Sequence, residues 1–226
     1  MSRIVLLDNQ DSFVYNLVDA LAAMADYEFT VYRNTVPAQA IIDSAPDLVI
    51  LSPGPGYPAE AGCMMELIAA VQGKVPLLGI CLGFQALVEH FGGAVTPCGP
   101  VHGESIGMTL TDEGLASPIF EGLAIDGGPE FDQPGVTVPV ARYHSLGTVD
   151  VPDELVPLAR TKAATGNVVM AAQSRDGMSI GLQYHPESIL TPAGPVMLER
   201  CVRALIQNNL IQNNLTKTDT ERSPRG

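Results

Sequence analysis

A cysteine held between two glycines, Gly79-Ile80-Cys81-Leu82-Gly83, follows the apolar run Leu77–Ile80 and precedes Phe84, Leu87, Val88 and Phe91 at helical spacing. Cys81 therefore falls where a strand turns sharply into a helix. The G-x-C-x-G pattern has the form of a nucleophile elbow with Cys in place of Ser. Flanking glycines would let the backbone turn tightly and push the thiol outward. The alternative is a small buried Cys that packs a strand end.

A cysteine nucleophile needs a base, and the base needs an acceptor that orients it. The candidates are His90, His102, His144 and His185. His90 lies in the helix after the elbow and reads as a surface residue. His102 sits in a glycine-flanked loop, and His144 reads as ordering its own loop. His185 ends a strand and opens His185-Pro186-Glu187, in which Pro186 keeps the preceding residue extended. Residues i and i+2 of an extended segment point to one side. Glu187 can thus accept from one ring nitrogen of His185 while the other faces a thiol. A strand-end turn with two solvated polar groups is the competing reading of this tripeptide.

Positioning these groups requires a particular frame. Ile4–Leu7, Phe29–Tyr32, Leu48–Leu51 and Leu77–Ile80 are short apolar runs with amphipathic segments between them, such as Val14, Leu17, Val18 and Leu21. Alternating β and α segments predict an α/β fold, an open and mostly parallel sheet flanked by helices. Ligands in such sheets sit beyond the carboxyl ends of strands. Cys81 falls there, as does Ser52-Pro-Gly-Pro-Gly56. Further on, Val136–Tyr143, Leu155–Arg160, Val168–Gln173 and Ile180–Tyr184 read as strands without long helices between them, hence antiparallel additions to the sheet. A final helix starts near Ala193. Residues 1–209 read as one domain and 210–226 as a polar, disordered tail. Asp8, Asn9, Asp11 and Ser12 could form a metal or phosphate loop; a helix N-cap by Ser12 or Asp11 is the preferred reading.

The 226 residues carry a net charge of −13 and are 46% apolar and 16% charged, the profile of a compact globular chain. That charge argues against a nucleic-acid surface. Cys63, Cys81, Cys98 and Cys201 show no disulfide or metal-like spacing. No membrane-length apolar run or signal peptide is visible, so a reduced, cytoplasmic protein is expected.

Taken jointly, GICLGFQ at 79–85, YHPES at 184–188 and SPGPG at 52–56 resemble the class I, triad-type glutamine amidotransferases, with their flavodoxin-like sheet. LDNQDSFVYNL at 7–17, YRN at 32–34, RYHSLG at 142–147 and HPESILT at 185–191 narrow the likeness to the glutamine-hydrolysing subunits of chorismate-using synthases. SPGPG followed by EAGC is most similar to those of anthranilate synthase, in tryptophan biosynthesis.

The resemblance implies that Cys81 attacks the side-chain amide of L-glutamine, that His185 moves the protons and that Glu187 fixes the ring. It implies an oxyanion hole of the Leu82 and Gly56 N–H groups, since Pro55 has none to give. It also implies glutamine contacts from Gly54, Pro55, Gly56, Gln85, Ser145 and Leu146. The implied partner is a chorismate-binding component I of anthranilate synthase. No metal or cofactor is expected in this subunit, and Mg2+ is expected on the partner. Phe84 stands where many relatives have His, and Glu104 where relatives often carry Lys near the synthase.

Three other readings stay open. One is the glutaminase subunit of aminodeoxychorismate synthase in folate biosynthesis, or a subunit shared by both pathways. Another is an α/β-hydrolase-type cysteine hydrolase, in which the acid precedes the His in the chain; here Glu187 follows it. The third is a scaffold that has lost its chemistry.

Overall fold

The computed structural model describes residues 1–99, 103–128 and 134–222, with side chains to Gln212; His102 lies outside them. The chain runs β1 (Ser2–Asp8), α1 (Val14–Ala22), β2 (Tyr27–Arg33), α2 (Ala38–Asp43), β3 (Leu48–Leu51), α3 (Met64–Val71), β4 (Leu77–Ile80) and α4 (Leu82–His90). It continues with β5 (Thr96–Pro97), β6 (Glu104–Leu110), α5 (Asp112–Ala116), β7 (Thr137–Arg142), β8 (Leu146–Gly147), β9 (Leu155–Ala163), β10 (Gly166–Ser174), β11 (Ser179–Leu182) and α6 (Gly194–Arg222).

Nine strands form one sheet in the order β2-β1-β3-β4-β11-β10-β9-β6-β7. The half from β2 to β11 is parallel, and the strands beyond it add antiparallel. Successive side chains of a strand point to opposite faces, so each central strand feeds two cores. Ile4, Leu6, Ile50, Leu78 and Ile80 pack with Leu17 and Leu21 of α1 and with Met197, Leu198 and Cys201 of α6. Val5, Leu7, Val49, Leu51 and Leu77 pack with Ile41 of α2 and Met64, Leu67 and Ile68 of α3. Both faces are covered, which is why LVIL and LLGI are continuous apolar runs and do not alternate. No helix of the described residues is long and apolar enough to cross a membrane.

The strand expected at Ile180–Tyr184 as an antiparallel addition is antiparallel only to β10. On its other side β11 pairs parallel with β4, Gly181 opposite Gly79 and Leu182 opposite Ile80. SIGL is buried at all four positions, as a strand inside the parallel half must be. The hairpin from β10 returns it beside β4, and this pairing brings the two ends of the expected site together.

In α6 the last buried positions are Ile206 and Asn209, while Leu210 and Ile211 are exposed. Asn208 and Asn209 donate to the carbonyls of Gly177 and Asp47, each at 3.0 Å. We propose that the chain beyond these contacts adds little to the fold. Truncation after Asn209 should change stability by less than about 0.5 kcal/mol, a melting shift of about 1–2 °C. A larger loss, or failure to assemble with a partner, would show that LIQNNL packs against something.

Candidate active site

Cys81 stands at the carboxyl end of β4 with φ +51° and ψ −101°, outside the regions open to ordinary residues. Holding a non-glycine there costs about 1–3 kcal/mol and needs surroundings that over-determine it. Those surroundings are visible. The Cys81 N–H donates to the Leu182 carbonyl at 2.7 Å, and the Cys81 carbonyl accepts from Gln85 at 3.0 Å to start α4.

The two flanking glycines do a different job from the one expected. Neither has a positive φ; the turn's torsion is carried by Cys81 itself. A Cβ at Gly79 would come within 2.5 Å of the Gly83 backbone, and one at Gly83 within 2.3 Å of the Leu51 carbonyl oxygen. They are glycines because β3, β4 and α4 approach too closely for side chains. Phe84, in turn, lies over Gly181, where a Cβ would fall 2.0 Å from its ring.

His185 follows β11. Its ring is buried, and Nδ1 lies 2.7 Å from Oε1 of the equally buried Glu187. Phe13 and Tyr143 meet the ring edge-on at 5.9 and 5.0 Å. With Nδ1 engaged, Nε2 is the nitrogen left for Cys81, which lines the same cavity. Burial works against a charged ring, but the hydrogen bond to Glu187 and the negative charge of Cys81 and Glu187 outweigh it. The His185 pKa is held well above the ordinary imidazole value.

One cavity opens onto these groups. Cys81 and His185 face it, with Gly54, Pro55 and Gly56 on one side and Gln85, Ser145 and Leu146 on another. A larger hollow against Glu113, Ser117 and Arg175 brings no nucleophile and base together. The Gly54 loop is held from below by Asn9, a residue that the sequence offers only for a metal or phosphate loop. Its N–H donates to Ser52 Oγ and its Nδ2 to the Ser52 carbonyl, both at 2.9 Å. A Cβ on Gly54 would sit 2.7 Å from that of Asn9. Asn34 donates to Asn9 Oδ1 and accepts from the Cys63 N–H, so DNQ, YRN, SPGPG and EAGC converge beneath one loop. Gly56 has φ +76°, a conformation that favours glycine. Leu82 opens α4, where the first amides of a helix lack an intrahelical acceptor.

Across the cavity, β5 and β8 pair Thr96 with Gly147 and Pro97 with Leu146, and Cys98 donates its N–H to the Ser145 carbonyl. His144 Nδ1 lies 2.7 Å from the Leu146 carbonyl oxygen. Burial, with the Arg142 guanidinium nearby, pushes the His144 pKa down to about 3, so its ring is a neutral donor that orders this loop. Gln85 Nε2 already donates to the Leu146 carbonyl and to Gln183 Oε1, at 3.1 and 3.3 Å. Only its Oε1 is left to offer a ligand.

Two details differ from expectation. The N-cap of α1 is Phe13, which makes no side-chain cap; Asp11 accepts the Phe13 N–H at 2.7 Å and orders the turn one residue earlier. Glu104 opens a strand, β6, opposite Arg142 of β7.

A thiol on a strained strand–helix turn, a charged imidazole and a buried carboxylate behind it can together carry out nucleophilic acyl transfer. The chain belongs to the family Glutamine amidotransferase class-I, which it matches over residues 5–205. It is 57% identical over 209 residues to anthranilate synthase component 2 of Corynebacterium glutamicum, covering 92% of this chain and 100% of that one. It is 39% identical over 214 residues to the protein of the same name in Vibrio parahaemolyticus, covering 92% and 99% of the two chains. The solved structure of a glutamine amidotransferase from Thermotoga maritima shares the fold, with a TM-score of 0.63 at 17% identity over 91% of this chain and 98% of that one.

Proposed function

We propose that this chain hydrolyses L-glutamine at Cys81 and passes the ammonia to a chorismate-binding component I, which makes anthranilate. The arrangement of Cys81, His185 and Glu187 supports the first half, and the similarity to anthranilate synthase component 2 of two bacteria supports the second.

The Cys81 sulfur, as thiolate, adds to the side-chain amide carbon, and the electron pair of the C=O moves onto oxygen. The N–H groups of Leu82 and Gly56 receive that oxyanion. The intermediate collapses as the C–N bond breaks, and charged His185 gives its proton to the nitrogen, which leaves as ammonia. The glutamyl thioester on Cys81 is then attacked by water, from which the now neutral His185 takes a proton. The C–S bond breaks, glutamate leaves and the thiolate–imidazolium pair is restored. Glu187 keeps Nδ1 occupied throughout, so that Nε2 does the proton transfer. Gln85 Oε1 and the Ser145–Leu146 backbone hold the amino-acid end of the substrate.

A glutamine-like electrophile such as a diazo ketone should label Cys81 stoichiometrically, and glutamine should protect it. Reconstitution with a chorismate-converting subunit should give anthranilate from glutamine. Labelling elsewhere would refute the site, and aminodeoxychorismate as product would refute the pathway.

A further inference from the structure

Gln183 follows β11 and is completely buried, with its N–H donated to the Met170 carbonyl at 2.9 Å. A primary amide with no access to water is costly unless its groups are paired. Its partners are not scaffold atoms: Nε2 reaches Cys81 Sγ at 3.8 Å, and Oε1 accepts from Gln85 Nε2 at 3.3 Å. We propose that Gln183 is a further catalytic residue, an N–H donor that holds the Cys81 sulfur as thiolate. This rests on Cys81 being the nucleophile.

Three features carry it. The first is placement. Leu182 pairs with Ile80, so the residue after each strand, Gln183 and Cys81, stand side by side. Gln183 and His185 are two residues apart in the bend that follows β11, and both reach the Cys81 site from there. One short segment thus delivers both the base and a second group to the same sulfur.

The second is polarity. A glutamine amide can turn over and exchange its oxygen and nitrogen, but here it is not free to do so. The Leu146 carbonyl can only accept, so Gln85 must present Nε2 to it. The second hydrogen of that nitrogen points to Gln183, which must answer with Oε1. Gln183 Nε2 is then the atom turned toward sulfur. A backbone carbonyl in the loop proposed to hold the substrate therefore dictates that the nucleophile meets a donor.

The third is chemistry. A thiolate accepts a hydrogen bond far better than a thiol, and hydrogen bonds to charged groups are the stronger kind. A donor fixed at Sγ therefore favours the reactive form and limits its rotation.

Alkylation of Cys81 by iodoacetamide, followed by peptide mass spectrometry on the full chain across neutral pH, tests this. Gln183→Met removes the donor at similar length, and Gln183→Glu replaces it with an acceptor. Both should alkylate Cys81 at least about tenfold more slowly at neutral pH, the size expected for a lost hydrogen bond to a charged group. The rising limb of the rate profile, which reports the coupled Cys81–His185 pair, should move to higher pH. Gln85→Leu leaves Gln183 intact but frees its amide to turn, so a smaller fall, about threefold, is expected even if the Gln183 variants fold poorly. A parent-like rate and profile in the folded variants would overturn the proposal, whatever happens to their melting temperatures, because a packing role predicts that outcome. If the parent itself shows no preferential alkylation of Cys81, the nucleophile assignment fails and not the role of Gln183 alone.

Discussion

Cys81→Ser is expected to lower glutamine-dependent synthesis by at least about 10³-fold, while the partner continues to make product from added ammonium. The hydroxyl occupies the same strained position, and the fold should persist. What is lost is the acidity of the thiol: a serine hydroxyl cannot form the stable anion that pairs with charged His185. Ammonium-dependent synthesis survives because the partner's own chemistry does not involve this thiol. His185→Ala should be nearly as damaging, since it removes both the counter-charge and the proton donor to leaving ammonia. Glu187→Gln should be milder than either, because this side chain orients the ring without exchanging protons. Assays with glutamine and with ammonium, run side by side on the reconstituted complex, read all three. Substantial glutaminase in Cys81→Ser, or electrophile labelling at Cys63, Cys98 or Cys201, would overturn the assignment.

Partner and chorismate together should raise kcat/KM for glutamine at least about tenfold over the isolated chain, or about 1.4 kcal/mol of transition-state stabilisation. Ammonia released into water at neutral pH becomes ammonium and is lost as a nucleophile, so hydrolysis is useful only when a synthase shields the product. One oxyanion donor is a sufficient source, since losing one costs about 10²–10³ in rate. Gly56 is the candidate. It is exposed, sits at φ +76° and has the freedom to reorient its peptide. A Cβ there would be strained by that φ and would lie 2.9 Å from the Glu60 carboxylate. Gly56→Ala should therefore reduce the stimulated rate while leaving complex affinity nearly unchanged. Steady-state hydrolysis with and without partner and chorismate checks this; equal kcat/KM in both states would refute it.

Much of this site is legible in the sequence because its parts carry local signals. Apolar runs followed by small or polar residues mark the ends of β1, β3 and β4, and His185-Pro186-Glu187 gives the base and its acceptor. The tripeptide is nevertheless a turn, closed by the Ser188 N–H donating to the His185 carbonyl at 3.3 Å, and not the extended run expected from the proline. β6 carries a signal that the expectations above leave out: Ile106, Met108 and Leu110 turn inward while Gly107 and Thr109 are exposed, the alternation of a one-faced strand lying between β9 and β7. β5 and β8 are two residues each, too short for any periodicity. The roles of Asn9 and Gln183 escape for another reason. Each is an ordinary polar residue whose meaning comes from a partner far away in the chain, Ser52 for one and Cys81 with Gln85 for the other. The strain on Cys81 is hidden similarly: the glycines beside it suggest a flexible turn, and only packing shows that the cysteine itself bears the torsion.

The position of β11 has a consequence for how the protein comes into being. Cys81 and Gln183 are 102 positions apart, yet they stand at the ends of neighbouring strands. During synthesis the chain can assemble β2, β1, β3 and β4 early, with the nucleophile in place. Until Ser179–Leu182 emerges, β4 is an open edge of apolar residues, the kind that invites pairing with another chain. The base lies just beyond that last strand. On the proposed mechanism, a partly made or clipped chain therefore has the thiol without its counter-charge, and glutamine cleavage begins only when the edge is closed.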